Sequence, residues 1–317
     1  MKRTSNGSVL VLFLLLAFWF ATSLTSDALY RMLVSAVYFE FPFMVVLLQS
    51  FSCLILFRTV KLLFPDFSNS WNDSVDPRAL PASILLLATV FLDLFRFYQE
   101  TTFSELIAFF GAPMVSILTL KSSRTKIGKK IPLVMSLLSV VFSYSSINVV
   151  ELTPTGIWFG LSVLVFNIAS LIMLRRYLKS NSIARFFVSH CTFSTVILFV
   201  YELFLHDIHG VFLYLQVWQL PYFPPVFLSF LLFSSASLFS LCHVITSFNL
   251  PTIAVSLNTK GAWLFLIVNY LNQYVAEKEF HVVDFSAIVS SVAAFLVNLA
   301  VFWIDAGTRG FSFQSSD

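Results

Sequence analysis

Ten apolar runs, each about as long as a bilayer is thick, constrain this 317-residue chain more than anything else in it. A helix crossing the hydrocarbon core needs about 20 predominantly apolar residues. Runs of that kind stand at roughly 8–28, 38–62, 80–98, 103–120, 131–148, 155–174, 186–205, 225–244, 250–271 and 284–304. Composition agrees, with 58% apolar and only 11% charged residues, thirty-eight phenylalanines and a mean hydropathy of +0.87. Soluble domains carry about 25% charged residues, so an ordinary water-soluble fold is excluded. The expected fold class is an all-α polytopic membrane protein, because a spanning helix satisfies its own backbone in lipid.

Basic residues set the orientation, since cytoplasmic loops collect Lys and Arg. With the N-terminus inside, the cytosolic segments hold Lys2 and Arg3; Arg58, Lys61 and Arg78; Lys121, Arg124, Lys126, Lys129 and Lys130; Arg175, Arg176, Lys179 and Arg185; and Arg309. These fifteen face three at the opposite side (Arg31, Arg96 and Lys278), while Lys260 falls inside a run. Both termini are therefore expected in the cytosol, and the Asn72-Asp73-Ser74 sequon in an unglycosylated cytosolic loop. The first run also has signal-peptide features, with Lys2-Arg3 ahead of an apolar stretch ending near Ala21 and Ser23. Its removal would leave nine spans and spoil the pairing of halves that follows.

The runs divide into five in residues 1–150 and five in 151–317, joined by the short segment Glu151-Leu152-Thr153-Pro154. Five is odd, so the second half inverts the first. The expectation is two inverted five-helix repeats, a recurrent transporter design that binds its ligand near the midplane where the halves meet. The fourth and ninth runs each follow a very short connection and precede a polar loop, as a duplicated architecture would have it.

Nothing here spells enzyme chemistry, and no cofactor is implied. There is no Gly-rich phosphate loop. His206 and His209 lack an evident third metal ligand and read as a solvated loop. Cys53, Cys191 and Cys242 all fall in apolar runs without CxxC spacing and read as small buried residues. The basic stretch KSSRTKIGKK (121–130) follows from the positive-inside pattern, suits contact with anionic lipid, and calls for no nucleic acid.

Polar groups inside the runs are the candidates for function, because lipid exposure makes them costly. Lys260 stands in the middle of Leu250–Leu271, where a lone cation costs about 3 kcal/mol on insertion scales. It reads either as a counter-ion for phosphate or as half of an internal pair, with Glu105 in the facing fourth run as its partner. The two readings are compatible if an anionic ligand displaces the pair. Asn258 is two residues away, on a different helical face unless the helix unwinds, and Pro251 and Gly261 allow irregularity there. Gln49, Asn167 and His190 are hydrogen-bonding groups suited to a sugar or base, or else to joining helices. Glu202 reads as wet, near the end of its run. Tyr144, Tyr201 and Tyr270 are candidates for stacking on a base.

Three stretches carry a family resemblance. Leu48-Gln49-Ser50-Phe51-Ser52-Cys53 within FPFMVVLLQSFSCLILFRTVKLL (41–63) is similar to the LQSLVC-like core of the second span in nucleotide-sugar transporters of the GDP-mannose-type branch. GIWFGLSVLVFNIASLIMLRRYLK (156–179) is similar to the GYFW-type opening and basic exit of their sixth span. VSLNTKG (255–261) resembles their GALNK motif, with Thr259 at the motif's lysine and Lys260 one place later. Phe186–His190 replaces the family's FYNN, and Phe109 stands where a fourth-span lysine is usual.

The resemblance implies an antiporter in the Golgi or endoplasmic reticulum membrane. It would exchange a cytosolic nucleotide-sugar for a lumenal nucleoside monophosphate, with the lipid bilayer and a second copy of the chain as expected partners. Lys260 would then neutralise phosphate, Asn258 and Ser256 would bond phosphate or ribose, and Gln49, Asn167 and His190 would select base and sugar. Glu105 would hold Lys260 in the empty state. The departures leave two other readings open: a non-transporting scaffold or regulator derived from this fold, and a carrier of sugar-phosphates or other organic anions.

Overall fold

The computed structural model describes residues 6–35, 42–65, 74–98, 102–119, 126–145, 153–205, 220–275 and 285–312. Regular structure among them is entirely helical. The helices are α1 (Asn6–Ser35), α2 (Pro42–Leu63), α3 (Leu80–Tyr98), α4 (Thr102–Phe109), α5 (Gly111–Thr119), α6 (Lys126–Ser145), α7 (Pro154–Leu178), α8 (Ile183–Leu205), α9 (Phe223–Ser247), α10 (Leu250–Val275) and α11 (Phe285–Ser312). Seven of these, α1, α2 and α7 to α11, are long and apolar enough to cross a membrane. Three shorter apolar helical stretches, Pro77–Leu92, Leu106–Thr119 and Ile131–Ser145, coincide with the third, fourth and fifth runs. By length and composition the chain is a multi-pass helical membrane protein.

Local chemistry explains the boundaries. Thr153 caps α7 by accepting a hydrogen bond from the Gly156 N–H, and Pro154 occupies a first-turn position that needs no donor. A 3-10 turn at Pro77–Ala79 leads into α3, with the Asp76 side chain accepting from the Arg78 N–H. The fourth run is broken into α4 and α5 at Phe110. Pro113 has no N–H to give the Phe109 carbonyl four residues back, so the α-helical ladder lapses there. By contrast α10 is continuous, without the irregularity that Pro251 and Gly261 would allow. Pro251 lies in its first turn, where proline is tolerated.

Large apolar side chains cover the outside, including Trp158, Phe204, Leu14 and Phe18. That is the surface a lipid solvent demands. Inside, α1 packs on α9 and α10, α3 on α7 and α8, and α2 on α8 and α9; α4 packs on α7, and α6 on α10 and α11. The main core joins Trp19, Leu174, Phe186, Ile245, Ile253 and Phe302, and a second cluster joins Tyr30, Leu33, Val45, Leu87, Leu198 and Phe230. Small residues let these helices approach. At Gly261 a Cβ would lie 2.8 Å from Cε1 of Phe109, so only glycine admits that ring.

Two positions differ from the sequence reading. Asp27, at the end of the first run as bounded at 8–28, lies well inside α1, which continues to Ser35. Glu202, expected to be wet, is fully buried. The helical phase of α8 explains this: His190, Ser194, Leu198 and Glu202 follow each other at four-residue spacing on one inward stripe. The sequon at Asn72, the pair His206/His209 and residues 121–125 of the basic stretch lie outside the described residues. So do the side chains of Lys126, Lys129, Lys130 and Tyr270.

Candidate functional site

A cavity of about 290 Å³ lies among the helices, with walls from α1, α2, α3, α4, α7, α8, α9 and α10. Its apolar lining includes Leu87, Phe109, Phe230 and Leu264; its polar lining includes Asp27, Gln49, Thr89, Asn167, His190 and Lys260. Four residues singled out from sequence, Gln49, Asn167, His190 and Lys260, therefore converge from four different helices. Asn258 joins them from α10.

Lys260 is the only Lys or Arg among the described residues lining the cavity. Its Nζ lies 2.7 Å from Asp27 Oδ2 and donates to Ser23 Oγ at 3.0 Å. Ser23 and Asp27 are four residues apart and so share a face of α1, which packs directly on α10. The pair is not sealed: the side chains retain 17% and 31% of their exposure. The Glu105 side chain lies outside the described residues; the described carboxylate that meets Lys260 is Asp27. The sequence carried a signal for this, an acid inside an apolar run, but ending the first span at residue 28 hid it.

Asn258 does a structural job. Its Nδ2 donates to the Phe109 carbonyl at 2.7 Å, supplying the partner that Pro113 withholds. It reaches the cavity without any unwinding of α10, because it points toward α4 while Leu257, Lys260, Gly261 and Leu264 form the adjoining stripe. Gly111-Ala112-Pro113 was a legible helix-breaking signal in the sequence.

Ser256 does not line the cavity. It is fully buried on the side of α10 that meets α11, with Oγ 2.9 Å from the Thr252 carbonyl and 2.7 Å from Asn298 Oδ1 of α11. Thr252 donates to Asp305 at 2.9 Å and Thr259 to the Ala294 carbonyl at 3.2 Å, so this whole stripe joins α10 to α11. Ser256 thus joins helices in this structure: it lies between Thr252 and Lys260 on α10, four residues from each, and its hydroxyl turns to Asn298 of α11.

His190 is buried, lines the cavity and stacks against Phe186 at 5.7 Å and 7°. Among the described residues its Nδ1 has no hydrogen-bond partner. A buried imidazole nitrogen in a residue that lines a polar cavity is a group for a ligand or a water to meet. Tyr144 and Tyr201 are largely exposed on the outside, where Tyr201 packs its ring 4.9 Å from Phe43. The tyrosine of the cavity is instead Tyr30. The three cysteines are free and buried, as small apolar residues would be, with Cys53 Sγ donating to Ser235 Oγ at 3.1 Å.

A second polar cluster closes the end where α3 begins and α7 ends. Asp76 is buried there; its N–H donates to Ser189 Oγ at 2.8 Å, and Oδ2 accepts from Tyr177 at 3.0 Å and lies 3.5 Å from Arg185 Nε. The Arg78 N–H, then Tyr177 and the Arg185 and Arg78 charges, hold the Asp76 carboxyl below its ordinary value against the opposing effect of burial. At the same end Arg175 donates to the Phe248 carbonyl at 3.0 Å, and Asp305 accepts from the Asn249 N–H at 2.8 Å. Sequence reading missed Asp76 because its neighbours are distant in the chain.

No protein-family model matches the chain, and no curated protein matches it.

Proposed function

We propose that this protein is a secondary transporter carrying an anionic, phosphate-bearing metabolite, with a nucleotide-sugar exchanged for a nucleoside monophosphate as its substrate pair. The observation that carries this is Lys260, placed in an intramembrane cavity on a pair that still has access to the cavity. An intramembrane charge facing a polar cavity is by default a functional group, since lipid would otherwise exclude it. Phosphate would meet Lys260, while Gln49, Asn167 and His190 would contact base and sugar. No covalent chemistry is required.

The packing supports a ten-span, inverted-repeat reading. If α1 corresponds to α7, α2 to α8, α3 to α9, the broken α4–α5 to α10, and α6 to α11, the contacts recur in pairs. α1 packs on α9 as α7 packs on α3; α10 packs on α1 as α4 packs on α7; α2 packs on α9 as α8 packs on α3. The pairs α2–α8 and α6–α11 map onto themselves. Alternating access would rock these halves about the cavity. The basic asymmetry supports both termini in the cytosol, and the resemblance supports the Golgi or endoplasmic reticulum membrane as the location.

One observation favours a non-transporting scaffold: Phe109, where a lysine is usual in the resembling family, is buried against Gly261 and brings no charge to the site. The deciding experiment is uptake of labelled nucleotide-sugars into proteoliposomes preloaded with nucleoside monophosphates. Counterflow of at least one pair above empty-vesicle background supports transport. Absence of counterflow across the four bases and common sugars favours the scaffold.

A further inference from the structure

Resting on the anion-transport reading, we infer that Asp27 is a tethered counter-ion that replaces the substrate on Lys260 in the unloaded carrier, making exchange optional rather than obligatory. Alternating access passes through an occluded state in which the cavity loses its connection to water on both sides. A bare ammonium in that state meets low dielectric alone, and this is what prevents an empty carrier from returning. Here the ammonium is not bare. Asp27 Oδ2 stands 2.7 Å away and Ser23 Oγ at 3.0 Å, both presented by α1.

The geometry gives the pair two properties this role needs. First, Asp27 on α1 and Lys260 on α10 meet across the contact between the two halves, so when the halves close on an unloaded cavity the ammonium already has its carboxylate and the site is a neutral unit. Second, the pair remains open to the cavity at the lining of both residues, so an incoming phosphate can reach Nζ. On release Asp27, about a third exposed, keeps its own access to water. A counter-ion buried on both sides would instead block the substrate.

The test is uptake of labelled GMP, UMP, CMP and AMP into proteoliposomes of two kinds, empty and preloaded with the same unlabelled nucleotide. The readout is the ratio of net uptake to exchange. Wild-type protein is expected to fill empty vesicles at a rate comparable with exchange. Asp27→Asn is expected to lower the ratio by about tenfold or more, as loss of a counter-ion from an intramembrane lysine implies. Glu105→Gln serves as the rival carboxylate and is expected to keep the wild-type ratio. Wild-type uptake confined to preloaded vesicles overturns this inference alone, and so does an unchanged ratio in Asp27→Asn. A fall in Glu105→Gln without one in Asp27→Asn overturns it as well. Should Asp27→Asn fail to insert, the wild-type ratio decides the matter by itself. Absence of uptake by wild type into either kind of vesicle overturns the transport reading, and this inference with it.

Discussion

Lys260 Nζ on α10 stands 2.7 Å from Asp27 Oδ2 on α1, and the two residues share the wall of one intramembrane cavity. This pair resolves the problem that a mid-membrane lysine poses, and it leaves the ammonium reachable. Because both side chains keep partial exposure, the loss on breaking the pair should fall short of the about 3–5 kcal/mol typical of fully buried ion pairs.

Lys260→Arg should therefore preserve folding, since a guanidinium can still meet Asp27, but should change how phosphate is held. The planar fork presents donors at a different reach from the ammonium. Exchange by the variant is expected to fall with the melting temperature in detergent unchanged. Wild-type kinetics in the arginine variant would count against direct phosphate contact.

Asn258 is expected to act on stability before it acts on substrate. Asn258→Ala leaves the Phe109 carbonyl without the partner that Pro113 cannot supply, at a cost of about 1–3 kcal/mol. Asn258→Asp, which cannot donate, should resemble alanine. Thermal unfolding in detergent checks both; full stability with a raised KM would return Asn258 to a substrate-binding role.

Gly261→Ala should be harmful through Phe109, because the new methyl group meets the ring at 2.8 Å. Overpacking of this kind costs about 1–3 kcal/mol. Phe109→Leu in the same chain should recover most of the lost stability, since it removes the clashing edge. A double variant no more stable than Gly261→Ala would show that the glycine is needed for something other than this contact.

The Asp76 cluster supplies a pH dependence with a definite sign. Its carboxyl is held below the ordinary value in the folded protein, first by the Arg78 N–H and then by Tyr177 and the nearby arginines. The ionised form is thus favoured by folding. The contribution is fully present above the unfolded carboxyl value of about 3.9 and is lost as pH falls through the lower folded value. Asp76→Asn should be less stable than wild type at pH 7, and the difference should shrink below about pH 4. Thermal melts of the two proteins across that range check it; a gap that widens in acid would contradict the assignment.

Where sequence reading succeeded, it relied on one-dimensional signals. Seven of the apolar runs fall on helices long enough to span and three on shorter apolar helices, because run length against bilayer thickness is a property of the chain alone. Gln49, Asn167, His190 and Lys260 reach one cavity because a polar group inside such a run has few other places to go. What escaped was helical phase and partner choice. Ser256 is only four residues from Lys260, yet it faces α11. Asp27 was set at a span's end by run length, whereas pairing with α10 placed it within the site. The role of Asn258 required knowing that Phe109 lies opposite it, which no spacing in the chain expresses.

The central claim, that Lys260 is there for an anionic substrate, is tested most directly by nucleotide exchange in the double variant Asp27→Asn/Lys260→Ala. Lys260→Ala alone leaves Asp27 without its cation, so a loss of exchange there could follow from misfolding. Removing both charges removes that complication and should return the protein to wild-type insertion and melting temperature. A folded, correctly inserted double variant is expected, with no exchange of nucleoside monophosphate above protein-free vesicles. Exchange at the wild-type rate would contradict the claim, reducing Lys260 and Asp27 to a structural pair.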